Sequence, residues 1–274
     1  MNPKQIATAL KFKALHEAPG TFLIPNPWDP ASARILSALG FPALATSSVA
    51  AANLLGRQDG TISRDEALRQ FAAIASATDL PVSADLGKGY ADSPDEVAQT
   101  IQLAAEAGLV GGSIEDATDD PERPIYDLNF AVERVSAAVA AARRLPFPFM
   151  LVARAENLIR GRPDLDDTLK RLLAYEKAGA DVLFAPGLPN LAAVREVCLS
   201  VSKPVNFVVG AKGRSFSVAE LAQAGVKRIS FGGSLHRAAM TGLLRAAEAA
   251  IADGTFGYIE TTLTSADFSR FIGI

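Results

Sequence analysis

Short apolar segments alternate along the chain with longer segments in which apolar residues recur at helical spacing. Short continuous apolar segments are typical of strands buried on both faces, and the longer periodic segments are typical of amphipathic helices. The segments that predict strands are 21–25, 43–46, 82–85, 111–115, 149–154, 182–185, 205–208 and 228–231.

A helical segment follows each of these strands. Glycine stands between helix and strand at Gly40, Gly108, Gly179 and Gly225, the position that ends a helix in left-handed backbone. The glycine positions therefore support the helix boundaries. The predicted helices are 30–39, 64–78, 94–107, 128–143, 166–178, 191–199, 218–224 and 235–252.

Strands that alternate with helices predict parallel pairing with helical crossovers. Eight such units match an α/β fold of the (β/α)8, TIM-barrel type, which commonly takes about 250 residues in one domain. We therefore expect residues 1–274 to form one barrel domain. Residues 254–274 form an aromatic-rich helical tail beyond it, which we expect to pack on a neighbouring subunit, or alternatively on its own barrel.

The composition of the chain argues against a nucleic acid partner, a membrane span and an intrachain disulfide. The chain has 27 basic and 30 acidic residues and no basic stripe, so we expect no nucleic acid partner. No uninterrupted apolar run approaches 18 residues, so we expect no membrane span. The start of the chain lacks the apolar stretch of a signal peptide. The single cysteine, Cys198, allows no intrachain disulfide, which agrees with a cytoplasmic location.

The third, fourth and fifth predicted strands each end in a charged residue. In a barrel, active residues lie at the carboxyl ends of the strands, so we expect Asp85, Glu115 and Arg154 to lie on one rim. Asp85 and Glu115, with Asp59 in support, could hold Mg²⁺, which takes oxygen ligands and keeps several waters. Arg154 could contact a substrate carboxylate through two parallel hydrogen bonds.

Other strand ends supply candidates for substrate binding. Trp28 follows the first strand, Ser47 and Ser48 follow the second, and Asn206 lies in the seventh. The two serines and their backbone amides could hold a second carboxylate or a phosphonate. A helix cap or an ion pair explains each acidic residue equally well when it is considered alone, and Glu156 could simply pair with Arg160 four residues later.

Several short motifs occur in a fixed order along the chain. They are 25–29 (Pro-Asn-Pro-Trp-Asp), 46–48, 56–60, Asp85 with Gly89 and Tyr90, 113–116, Arg154 and 229–232. Taken together and in this order, these motifs resemble the isocitrate lyase and phosphoenolpyruvate mutase superfamily over nearly the whole chain. The resemblance implies an α/β barrel, Mg²⁺, a small-molecule 2-oxo acid or enol-pyruvate substrate, and a homotetramer that commonly exchanges its last helix between subunits.

The family pattern implies a role for each matching residue. Asp85 would ligate the metal directly, and Asp59 and Glu115 would act through or beside the metal-bound waters. The substrate carboxylate would be held by Ser47, Ser48 and Arg154.

This chain departs from the family pattern in two places. Lyases of the group carry a Lys-Lys-Cys-Gly-His loop after the fourth strand, but residues 117–124 here read Ala-Thr-Asp-Asp-Pro-Glu-Arg-Pro. The family also has a second acid two residues after the first, where this chain has Gly87 followed by Lys88. Losing a carboxylate and gaining an ammonium should both weaken Mg²⁺ binding.

Lys88 has three interpretations. It is a solvated loop lysine, a cation that replaces the metal beside an enolate, or a nucleophile that forms a Schiff base.

The function also has three interpretations. We expect a carbon–carbon lyase or decarboxylase acting on a small 2-oxo (di)carboxylate through a pyruvate-like enolate. Decarboxylation agrees with the missing cysteine, because departing CO₂ needs no proton donor. The alternatives are a phosphonopyruvate-type P–C bond hydrolase or mutase, with Asp59 or Thr118 as nucleophile, and a non-catalytic homologue that binds 2-oxo acids.

Overall fold

The computed structural model describes residues 3–213 and 216–273. Its eight parallel strands are hydrogen-bonded in the order β1-β8-β7-β6-β5-β4-β3-β2. The Ala45 N–H donates to the Pro25 carbonyl at 3.0 Å and links the two ends of this sheet. The (β/α)8 barrel predicted from the sequence is thus confirmed. The strands are β1 Phe22–Ile24, β2 Leu44–Ala45, β3 Val82–Asp85, β4 Gly111–Glu115, β5 Met150–Arg154, β6 Val182–Phe184, β7 Val205–Val208 and β8 Arg228–Ser230.

All eight predicted helices are present, with ends within two residues of the prediction. The four helix-ending glycines take the expected left-handed backbone. The helices are α1 Pro3–Glu17, α2 Pro30–Ala38, α3 Ser48–Leu54, α4 Arg64–Ser76, α5 Pro94–Glu106, α6 Leu128–Arg143, α7 Leu165–Lys177, α8 Leu191–Ser200, α9 Val218–Gln223, α10 Ser234–Ala252 and α11 Ser265–Ile272, with short 3₁₀ helices at Asn157–Ile159 and Gly257–Thr261.

Helix α1 covers the amino-terminal end of the barrel. Gln5 donates its side-chain amide to the Ala105 carbonyl at 2.6 Å, beneath the start of β4. Phe12 is fully buried, and the absence of a side chain at Gly111 leaves room for its ring, since a Cβ there would lie 2.9 Å from the Phe12 ring. The interior cavity therefore faces the carboxyl ends of the strands.

Helix α10 and the tail differ from the rest of the fold in their exposure. His236 is the buried residue of α10, and the remainder of this helix is largely exposed. The tail then returns to the barrel, where Arg34 of α2 donates to the Ile272 carbonyl of α11 at 2.8 Å. Helix α11 thus packs on its own chain, and packing of the tail on a neighbouring subunit stays a prediction. Among the described residues, no helix combines the length and apolarity needed to cross a membrane.

Candidate active site

Asp85 lies at the carboxyl end of β3 and is held by hydrogen bonds from three sides. Its Oδ2 accepts the Ser48 backbone N–H at 3.0 Å, and its Oδ1 accepts from Gly87 N–H at 3.3 Å and Ser113 Oγ at 3.4 Å. Thr46 Oγ1 accepts the Asp85 backbone N–H at 3.0 Å. These bonds fix the carboxylate on the rim, as the strand-end argument predicted.

Arg154, at the end of β5, contacts three carboxylates. Its guanidinium lies 3.0 Å from Asp85 Oδ1, 3.0 Å from Glu115 Oε2 and 2.9 Å from Glu156 Oε1. The strand register places Glu115 beside Arg154. The side chain of Arg154 is only 13 % exposed. Burial lowers the pKa of Arg154, but the surrounding carboxylates outweigh burial and raise it overall, so the guanidinium stays charged.

The acidic residues outnumber their cationic partners at this rim. Burial raises the pKa of Glu115 to about 8, with Glu156 and Asp85 adding to burial and Arg154 opposing it. Burial, followed by the charge of Asp85, raises the pKa of Asp59. Each carboxylate therefore favours a proton or a further cation nearby.

A buried network supports Glu156, and sequence reasoning found only part of it. The expected pairing with Arg160 is present at 3.7 Å. In addition, the Glu156 backbone N–H donates to Asp116 at 2.8 Å. Asp116 in turn accepts from Arg171 at 3.0 Å and from Tyr175 at 2.5 Å. Arg171 and Tyr175 lie in α7, and no pattern in the sequence indicated that they face this network.

A cavity of ≈ 330 Å³ opens beside Asp85 and Arg154. This is at the small end of the roughly 300–1,000 Å³ typical of ligand pockets. Ser47 is the N-cap of α3, which begins at Ser48. The site residues predicted from sequence that line the cavity are Ser47, Ser48, Asp59, Asp85, Arg154 and Asn206.

Three predicted residues lie outside this lining set. Glu115 faces an adjoining cavity that it shares with Ser48, Asp59 and Lys88. Trp28 instead packs edge to face on His236, with the ring centroids 5.4 Å apart.

Lys88 is bound to acidic residues of the loops. Its amine lies 2.6 Å from Asp92 and 2.5 Å from Asp119. This placement favours a loop ion pair over a cation that faces an enolate beside Asp85. The Thr118 hydroxyl, considered as a nucleophile, donates to the Arg123 carbonyl of its own loop.

The oxygen donors on this wall fit Mg²⁺. Asp85 Oδ2 accepts one hydrogen bond and retains acceptor capacity. Burial, followed by the charge of Asp85, raises the pKa of the adjacent Asp59, and a cation here would oppose both effects. Among residues 3–213 and 216–273, no group of three or more His, Cys, Asp or Glu has the spacing of a metal site. Mg²⁺ needs fewer protein ligands, because it is commonly bound by one or two carboxylates together with water and substrate oxygens.

The fold, the rim carboxylates and the arginine between them define an enzyme family. The chain matches the family model described as phosphoenolpyruvate phosphomutase over residues 12–251. It therefore belongs to that family, within the isocitrate lyase and phosphoenolpyruvate mutase superfamily.

Relatives with different chemistries share this family. The chain is 30 % identical to a 2-methylisocitrate lyase of Shewanella oneidensis, with 85 % of this chain and 82 % of the relative covered. It is 31 % identical to an oxaloacetate decarboxylase of Bradyrhizobium diazoefficiens, with 71 % and 68 % covered. A solved structure of a provisionally assigned lyase/mutase from Burkholderia cenocepacia J2315 is 50 % identical, with a TM-score of 0.97 and 100 % and 98 % covered.

Proposed function

We propose that this protein is a carbon–carbon lyase or decarboxylase that acts on a small 2-oxo (di)carboxylate through a pyruvate-like enolate. The observation that supports this most directly is the Asp85–Arg154–Glu115 cluster on the rim of the barrel, beside a cavity of ligand size. The similarity to a lyase and a decarboxylase supports the same reaction type.

The chemistry follows from the charges at the site. The bond that breaks joins the carbon next to the 2-oxo carbon to the departing carboxyl or acyl carbon. Its electron pair forms the carbon–carbon double bond of the enolate, and the oxo oxygen becomes negative. A fixed positive charge near that oxygen stabilises the transition state, because it needs no reorganisation as charge develops. Arg154 is held in place by three carboxylates, so it provides such a charge in a fixed orientation.

The substrate carboxylate would lie against the Ser47–Ser48 turn and Arg154. In decarboxylation the departing CO₂ leaves its electron pair on the adjacent carbon, which then takes a proton from water. This route needs no cysteine, which agrees with a loop after β4 that lacks one.

Mg²⁺ would be held by Asp85, with Asp59 and Glu115 acting through bound waters, and would supply further positive charge for the enolate. The amine of Lys88 is engaged by Asp92 and Asp119. We therefore assign Lys88 the role of holding the loop that contains Asp119 near the site.

A substrate panel tests the proposal. The purified protein with Mg²⁺ is incubated with oxaloacetate, a 2-oxo dicarboxylate, and for comparison with 2-alkylmalates and 2-methylisocitrate, 2-hydroxy acids that yield a 2-oxo acid on cleavage. ¹H NMR detects the 2-oxo acid product. Asp85→Asn should lower turnover by roughly 10²-fold or more, because it removes the carboxylate that would hold Mg²⁺ and that fixes the orientation of Arg154. The exposed Asp95→Asn is the matched control and should match wild type. Binding of these acids without any turnover would instead identify a non-catalytic homologue.

We also propose that the protein acts as a homo-oligomer, of which a tetramer is the form expected from the family. The support is the apolar surface of α10, where Leu243 and Leu244 are 64 % and 57 % exposed and Ile251 is 88 % exposed. Contiguous exposed apolar surface of this kind is typical of subunit contacts.

A further inference from the structure

Arg228 is a buried arginine whose partners do not account for its charge. It begins β8, faces the barrel interior, lines the same cavity as Asp85 and is 5 % exposed. Its Nε and Nη1 atoms are buried and have no hydrogen-bond partner within the described part of the chain. Burial lowers the pKa of Arg228 to about 10, so the guanidinium is still charged at neutral pH.

The surroundings of Arg228 offer packing but no counter-charge. The guanidinium carbon lies 5.8 Å from the centre of the Phe12 ring, which is a cation–π contact. Across residues 3–213 and 216–273, no acidic side chain forms an ion pair with Arg228. A buried ion without a partner is strongly unfavourable, so a fold that retains one has a reason outside its packing.

Two polar neighbours lie beside Arg228 on the cavity wall. The strand register pairs it with Asn206 of β7, whose Nδ2 donates to Ser230 Oγ at 3.1 Å. Ser230 Oγ donates to the Phe207 carbonyl at 3.5 Å, a long hydrogen bond that the hydroxyl can exchange for a ligand oxygen. Asn206 Nδ2 has a second N–H to donate, while its Oδ1 is buried without a partner among the described residues. Asn206 and Ser230 also line the cavity, so three polar side chains meet in one buried region.

The two ends of the cavity therefore differ in charge. At the rim, Arg154 is already paired with three carboxylates. On the interior wall, the charge of Arg228 is unopposed. An anionic group deep in the cavity is attracted toward Arg228, because no carboxylate of the described residues pairs with this guanidinium.

We propose that Arg228, Asn206 and Ser230 form a carboxylate subsite within the barrel, which binds the distal carboxylate of a dicarboxylate whose reacting end lies against Asp85. The orientation of the substrate in this subsite rests on the proposed function. A subsite of this kind restricts the substrates of the enzyme to dicarboxylates.

Calorimetric titration tests the subsite without any need for turnover. Succinate and glutarate are compared with butyrate and pentanoate, the monocarboxylates of the same chain lengths. Wild type should bind each diacid about tenfold or more tightly than its matched monoacid, as expected for hydrogen bonds to a charged group. Arg228→Met should reduce this preference to within about twofold, and Arg228→Lys should retain part of it.

A matched variant separates binding from packing. Phe12→Leu removes the cation–π partner but keeps the arginine, so it should lower the melting temperature and leave the diacid preference unchanged. Unliganded Arg228→Met should melt no lower than wild type, because the variant removes an unpaired buried charge.

Two results would overturn the subsite: no diacid preference in wild type, or an unchanged preference in Arg228→Met. If that variant does not fold, a full preference in Arg228→Lys and Ser230→Ala overturns the subsite equally. A diacid preference without turnover of any substrate would refute the proposed reaction and leave the subsite in place.

Discussion

At the scale of single residues, the site is organised by buried charge. Arg154 joins Asp85, Glu115 and Glu156, and Asp116 joins Glu156 to α7 through Arg171. A buried ion pair adds little net stability by itself, but removal of one partner leaves the other charge uncompensated. We therefore interpret these residues as fixing the orientation of Arg154, and not chiefly as stabilising the barrel.

His16 leads to a prediction about acid stability. Burial, followed by the charge of Arg228, lowers the pKa of His16 from 6.5 to about 3. Below pH 6.5 the unfolded chain binds a proton that the folded chain does not, so the free energy of unfolding falls as pH falls from 6.5 toward 3. The expected loss from this group is about 1.4 kcal/mol per pH unit.

Urea unfolding of wild type and His16→Gln between pH 7 and pH 4 measures this loss. Glutamine retains a side-chain donor for the Phe12 carbonyl, which His16 Nδ1 contacts at 2.8 Å, but it does not titrate. The stability of the variant should fall less steeply with acid than that of wild type. Parallel curves for the two proteins would mean that His16 is not held neutral by the fold.

At the scale of elements, periodicity predicted the barrel strands and crossover helices to within two residues. Three α-helices of the described residues were not assigned boundaries, and one of them is α11 in the tail. The other two are α3, an Ala-rich turn after Ser47, and α1, which has little amphipathic character. Local sequence signals are weak in both, and packing against the barrel decides their structure.

The sequence likewise predicted one part of the site and not another. Parallel strands of a barrel end on one rim, and this rule predicts that Asp85, Glu115 and Arg154 meet. The direction of Lys88 does not follow from that rule, because Asp119 of a distant loop determines it. Arg228 was missed for a similar reason: only the register and the position of α1 show that it is buried without a counter-charge.

At the scale of the whole molecule, α10 extends from the barrel with an apolar surface exposed, which leads to a prediction about assembly. Light scattering after size-exclusion chromatography should give a mass several times 28.7 kDa, with four times as the family expectation. Leu243→Glu combined with Leu244→Glu should lower this mass, because it places two charges in an apolar contact.

The control for this experiment is Leu199→Glu on α8, which changes an isolated leucine that is 79 % exposed. It should leave the mass unchanged. A wild-type mass of 28.7 kDa at micromolar concentration would contradict the proposed assembly.

The proposed function requires the Asp85–Arg154 site to stabilise the enolate of a 2-oxo acid. Exchange of the methyl protons of pyruvate in D₂O, followed by ¹H NMR with Mg²⁺ present, tests this claim without knowledge of the natural substrate. Wild type and Asp95→Asn should exchange these protons faster than buffer does, and Asp85→Asn should exchange them at close to the buffer rate. Exchange by wild type no faster than buffer, or equally fast exchange by Asp85→Asn, would contradict enolate stabilisation at this site.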